Sequence, residues 1–453
     1  MVDMEKNTSF DMLVTGGTLL TLSADMEIIE NPIIGIRGGS IAMIEKEDEL
    51  SGRHYSAGET LNAAGCIILP GLVNTHTHLP MVCFRGLADD LPLTEWLQER
   101  IFPVEAKYVN REMVYAGARL AMAEMILSGT TTFCDGYFHE SSVAHAAIDM
   151  GMRGVVSQGF LDIATENAPN PTDHNRIAEA FLDKWKDRSP LISPALFCHT
   201  PYTCKAETLV TLKDVASRKN CLYITHVAET RDETRLMRDR YGTTSIRYLK
   251  KLGVLDERTV LVHAVWVDLD ELDIINVSKA KISHNPESNM KLASGVAPVP
   301  AMLHRGIPVG LGTDGCASNN DLDLFREMGT AARLHKVATM DPTVLDARTA
   351  LRMATINGAR VLGMEDRIGS IETGKCADLI CIKMDKPHLT PMYQVYSHLV
   401  YAASGADVTA VMINGKLVMK DRKLLHADLD DILGQVRKIG AEIRRNEFHV
   451  NLF

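Results

Sequence analysis

The residues of this chain best suited to chemistry begin at His76-Thr77-His78, the end of the apolar run Leu69-Pro70-Gly71-Leu72-Val73-Asn74-Thr75. Side chains two apart on a strand share a face, so both imidazoles aim at one point. Neutral imidazole is the commonest protein ligand for zinc-like ions. A His-x-His pair is equally compatible with two polar side chains satisfied at a strand end. The apolar run before it favours ligation, because an unpaired polar group is costly to bury. Two ligands leave a site incomplete, so distant parts of the chain must supply the rest.

The other candidates each follow a short apolar run: His199, Thr225-His226-Val227-Ala228-Glu229-Thr230, His263, His284 and Gly312-Thr313-Asp314-Gly315. The chain has 16 histidines, and random placement would not readily put His76, His78, His199, His226, His263 and His284 all at such ends. His76, His78, His226 and Asp314, three nitrogens and a carboxylate, suit one divalent ion per chain. Zinc comes first and iron or manganese after it, with a position left for water. An ion so held brings the pKa of its water to about 7. Glu229 stands where a carboxylate can move a proton between that water and a substrate. His263 can hydrogen-bond the water and aim it, with Asp314 holding it from the other side. The chemistry is metal-assisted hydrolysis at an sp2 carbon.

Each residue also has a plainer reading. Asp314 sits in a Gly-rich turn, where Asp is common. His226 or His263 alone is a satisfied strand-end histidine, and Glu229 alone an exposed loop acid. His284 divides evenly between pocket lining and structural support. His54, His145, His304 and His335 read as surface or helix positions. Trp96 reads as a pocket lid, Trp185 as packing, and the Met-rich helix Met113–Met125 as core.

The elements that must position these groups follow a βα rhythm. The strand runs are Cys66–Thr75, Thr130–Asp135, Gly154–Phe160, Ile192–His199, Cys221–Val227, Thr259–Ala264, Lys281–Asn285 and Pro308–Thr313. Spacers such as Arg111–Leu127, Arg176–Trp185, Glu207–Arg218 and Leu345–Leu362 carry apolar residues at helical spacing. Serial β/α units predict an α/β fold, a (β/α)8 TIM-like barrel over residues 69–366, with its chemistry at the C-terminal strand ends. Residues 1–68 and 367–453 alternate β-rich runs with Gly turns. They predict one small β-sandwich module built from both termini, closed by an amphipathic helix at Leu429–Arg445.

With 453 residues the chain suits a large barrel plus a smaller module. A net charge of −10 with no basic stripe argues against nucleic acid as a partner. No apolar run reaches membrane-spanning length. The nine cysteines form no CxxC pair, and the first residues lack a signal-peptide layout. Reduced thiols in a cytoplasmic protein are expected. The expected partner is a small molecule, with homo-oligomerisation left open.

Pro70–His78, His226-Val227-Ala228-Glu229-Thr230 and Gly312-Thr313-Asp314-Gly315 resemble the amidohydrolase superfamily over nearly the whole chain. His76–Met81, Ser283–Gly295 (SHNPESNMKLASG) and Gly312–Met328 narrow the likeness to the 5-methylthioadenosine/S-adenosylhomocysteine deaminases. The resemblance implies hydrolytic deamination of adenine nucleosides at purine C6. It places the metal on His76, His78, His226 and Asp314, the proton shuttle on Glu229 and the water-orienting histidine on His263. It further implies that Glu105 holds the ribose hydroxyls and that His199 contacts the purine. One departure stands out. Some members carry an arginine near Met152–Gly159 that pairs with the homocysteine carboxylate. Here Ser157 and Gln158 occupy that place, and Arg153 is a poor substitute by register. Methylthioadenosine or adenosine is therefore expected over S-adenosylhomocysteine. The rival reading keeps the site and changes the substrate to guanine, a pterin or an s-triazine. A non-catalytic scaffold and a binuclear amide-ring hydrolase are further alternatives. The latter usually needs a bridging lysine where this chain has His199.

Overall fold

The computed structural model describes residues 8–46, 55–91, 95–162 and 173–447. His54 lies outside them. Eight parallel strands follow one another around a barrel in sequence order. They are β1 (Leu72–Thr77), β2 (Thr130–Tyr137), β3 (Arg153–Phe160), β4 (Ile192–Cys198), β5 (Tyr223–Val227), β6 (Thr259–His263), β7 (Lys281–His284) and β8 (Val309–Leu311). Residues of β2, β3 and β5 are buried throughout, as expected of parallel strands covered by helices on one side and a filled barrel on the other. Seven of the eight expected strands are present within a few residues at each end, and the first is divided.

Closure between β8 and β1 uses backbone and side chains together. The Asp314 N–H donates to the His76 carbonyl at 3.0 Å, and the Thr75 hydroxyl donates to the Leu311 carbonyl at 2.9 Å. Glycine at 312 permits this approach, since a Cβ there would lie 2.8 Å from the His76 nitrogen. Glycine at 312 is thus a requirement of barrel closure.

The helices flanking the barrel largely match their expected spans. Helix Arg111–Leu127 is capped by Asn110, whose side chain accepts from the Glu112 and Met113 N–H groups. It buries Met113, Met122 and Met125, so the methionines are core. The span expected at Leu345–Leu362 divides into helices Ala347–Met353 and Ile356–Val361. Trp185 is buried. The final helix, Leu429–Glu447, buries Ile432 and Ile443. Its Glu447 accepts from Lys107 and Tyr108 at 2.6 and 2.7 Å. No helix among the described residues is long and apolar enough to cross a membrane.

The two termini together supply the strands of two further sheets. A four-stranded sheet comes from the N-terminal segment alone, whereas a seven-stranded sheet mixes strands from both ends. Residues of both sheets, among them Val14, Ile34, Ile68, Leu379 and Met412, share one apolar core. The run expected as a single strand, Cys66–Thr75, divides at Gly71. Cys66–Pro70 pairs antiparallel with Leu379–Lys383 in the terminal sheet, and Leu72 opens the barrel. A Cβ on residue 71 would meet Thr131 at 2.0 Å, so only glycine passes here. Arg153, at the start of β3, links the barrel to the C-terminal segment through Asp378 at 2.8 and 3.0 Å. Breaking such a buried pair typically costs about 3–5 kcal/mol.

Candidate active site

The strand ends bring His76, His78, His226 and Asp314 together, with one potential ligand atom from each lying within 4.8 Å of all the others. The Nε2 atoms of His76 and His226 are 3.1 Å apart. Asp314 Oδ1 lies 3.4 Å from His76 Nε2 and 3.3 Å from His78 Nε2. His78 Nδ1 donates to the Gly136 carbonyl at 2.6 Å, which turns its Nε2 lone pair inward. Burial holds His76 at a pKa of about 4 and lowers His78 and His226 as well, so the imidazoles are neutral donors. Burial pushes Asp314 upward, but its histidine neighbours, His76 foremost, outweigh it and hold the carboxyl well below its usual range. Neutral nitrogens and an ionised oxygen facing one point are a donor set that fits a divalent cation.

Asp314 is pinned on its other side. Ser288 and Ser318 both donate to Oδ2, at 2.7 and 2.9 Å, which leaves Oδ1 to face the histidines. His263 Nδ1 donates to Asn289 Oδ1 at 2.9 Å, so Nε2 keeps its lone pair and stands 3.9 Å from Glu229 Oε2. Ser294 donates to Glu229 Oε1 at 3.4 Å. Three residues of one short stretch, Ser288, Asn289 and Ser294, therefore touch Asp314, His263 and Glu229. The Ala228 and Glu229 N–H groups are held by the Glu233 carboxylate at 2.7 and 2.9 Å. His263 and Asp314 adopt left-handed backbone, with φ of 72° and 63°. Strain of this kind costs about 1–3 kcal/mol per residue and collects at functional sites. Burial raises the Glu229 pKa, partly opposed by His263.

The pocket beside these groups is lined by His199, Glu105 and Trp96, with Leu97, Ile101, Phe102, Phe138, Phe160, Leu161 and Phe197 as apolar walls. His199 Nδ1 bonds the Thr203 hydroxyl at 2.9 Å, leaving Nε2 for the pocket. Glu105 is buried and accepts from the Tyr137 hydroxyl. Among the described residues, no Lys or Arg lines this pocket. Arg153 is engaged at the opposite end of β3. Gln158 bonds the Gly159 carbonyl.

Two histidines correct or resolve the sequence expectation. His335 lies on the helix Leu324–Thr339, but not at the surface: it is buried 3.1 Å from His284, Nε2 to Nε2. His284 thereby takes a structural place and does not line the pocket. Sequence reasoning passed over Tyr137, Ser288, Asn289, Ser294 and Ser318. The stretches Ser283–Gly295 and Gly312–Met328 were the visible signals for the four seryl and asparaginyl residues, without roles for their members, and nothing pointed to Tyr137.

The amidohydrolase family model matches residues 67–418, and the chain belongs to this family. It is 47% identical to the 5-methylthioadenosine/S-adenosylhomocysteine deaminase of Syntrophobacter fumaroxidans, over 96% of this chain and 98% of that relative. It is 41% identical to the 5'-deoxyadenosine deaminase of Methanosarcina mazei, over 96% and 98%. Its fold matches the crystal structure of an adenosine deaminase from Xanthomonas campestris with bound zinc, with a TM-score of 0.94 at 36% identity, covering 97% of this chain and 100% of that one.

Proposed function

We propose that this chain hydrolytically deaminates adenine nucleosides, replacing the C6 amino group of the purine by oxygen and releasing ammonia. The observation that carries the reading is the convergence of His76, His78, His226 and Asp314 beside a largely buried Glu229. The activities of the relatives support the substrate class. A divalent ion, zinc by preference for this donor set, supplies when bound a water that ionises near neutral pH. Glu229, its acid form favoured by burial, gives a proton to ring N1. His263 offers Nε2 to the incoming water, its other nitrogen fixed by Asn289. His199 meets the purine edge. Glu105 accepts from the ribose hydroxyls, since an acceptor-only carboxylate in an apolar wall suits a pair of hydroxyl donors. Among the described residues the wall around it holds no cation for a substrate carboxylate, which favours 5'-methylthioadenosine, 5'-deoxyadenosine or adenosine over S-adenosylhomocysteine.

Ammonia release from a panel of these nucleosides, guanine and s-triazines, with metal analysis of the same sample, tests both levels. Turnover of an uncharged adenine nucleoside with about one metal per chain is expected. Preference for S-adenosylhomocysteine overturns the specificity, and turnover of guanine or triazines alone overturns the substrate class.

A further inference from the structure

We infer that Tyr137 is a specificity-determining positioning residue: its hydroxyl holds the Glu105 carboxylate in the pose that accepts the sugar diol. The inference rests on the reading of Glu105 given above. Tyr137 is the last residue of β2, and its phenol donates to Glu105 Oε1. Both residues are buried in the pocket wall. The residue before it, Gly136, accepts from His78 Nδ1 at 2.6 Å. Adjacent positions on one strand end therefore touch the two ends of the site, the metal-ligand candidate and the sugar acceptor. The strand is paired with β1 on one side and β3 on the other, with Tyr137 opposite Gln158. Glu105 instead rides on the short helix Phe102–Tyr108, outside the barrel sheet. The phenol is a link from that helix to the rigid frame.

The chemistry gives the link its purpose. Burial pushes the Glu105 pKa up to about 7, with the Tyr137 hydrogen bond acting against it. A protonated carboxyl would lose acceptor capacity. The phenol favours the ionised form and fixes its plane. A carboxylate offers about four acceptor sites, so the phenol and two sugar hydroxyls are compatible. A nucleoside without the diol gains nothing from this arrangement.

The test compares metal-loaded wild type, Tyr137→Phe, Glu105→Gln and the double variant on adenosine and 2',3'-dideoxyadenosine. Tyr137→Phe is expected to raise KM for adenosine about tenfold, as for a lost hydrogen bond to a charged group. The dideoxynucleoside KM, kcat and metal content should stay near wild type. An equal KM change on both substrates, or no change on either, overturns the inference. If Glu105→Gln leaves the ratio of the two KM values unchanged, the sugar role of Glu105 itself fails. If Glu105→Gln collapses that ratio and Tyr137→Phe leaves it intact, only the Tyr137 inference fails. Where the Phe variant does not fold, the double variant removes the stranded charge. Its KM ratio must equal that of Glu105→Gln alone, and any further change means that Tyr137 does not act through Glu105.

Discussion

Two pairs of buried histidines share one Nε2-to-Nε2 separation and differ in what surrounds them. His76 and His226 meet Nε2 to Nε2 at 3.1 Å, and so do His284 and His335. The first pair faces Asp314 Oδ1, a third imidazole and an open pocket. The second belongs to no potential metal-binding group among the described residues. Burial lowers the pKa of all four rings. Close imidazoles and depressed basicity thus do not make a metal site. What marks the first pair as the candidate is the ionised carboxylate and the adjoining pocket, because a cation must be neutralised and reached.

Four substitutions or conditions would break or sharpen this contrast. The largest effect belongs to Asp314→Asn, which removes the charge and leaves the imidazoles. Deaminase turnover should fall roughly a thousandfold or more, with metal lost from the purified protein. Retained metal at full occupancy would place the ion elsewhere. Ser288→Ala should weaken metal binding by about 10- to 100-fold, because Asp314 Oδ2 loses one of two donors; competition with a chelator reads this directly. His335→Leu should leave metal content unchanged and lower unfolding stability by about 1–3 kcal/mol, since His284 loses its partner. Loss of metal from that variant would erase the distinction between the pairs.

The last effect is a pH dependence of stability. Burial brings His335 from its ordinary 6.5 to about 4, and Lys336 adds to the shift. The folded chain therefore leaves this ring unprotonated where the unfolded chain protonates it. The contribution is complete above about pH 6.5 and is lost as pH falls towards 4. Denaturant midpoints across that window should fall less steeply for His335→Leu than for wild type.

Much of the fold was legible because its signals are local. Parallel strands covered on both faces read as continuous apolar runs, and a helical period between them is visible in Arg111–Leu127 or Glu207–Arg218. His76 and His78 were legible as a pair because the strand period brings alternate residues to one face. His335 lies on a helix as read, but its burial was missed because one polar residue on a helix carries no mark of the partner it will meet 51 positions away. The division at Gly71 was hidden for a similar reason: Cys66–Pro70 and Leu72–Thr77 are both apolar strands, and only their partners differ.

The sequence by itself determined most of the barrel strands, and that histidines and acids stand at their C-terminal ends. Tertiary structure alone decided which oxygen of Asp314 faces the histidines, which nitrogen of His263 is occupied, and that Tyr137 meets Glu105. Those outcomes depend on hydrogen bonds between segments 26 to 32 residues apart in the chain. The geometry of such bonds arises only when the barrel closes and brings the strand ends to a common rim.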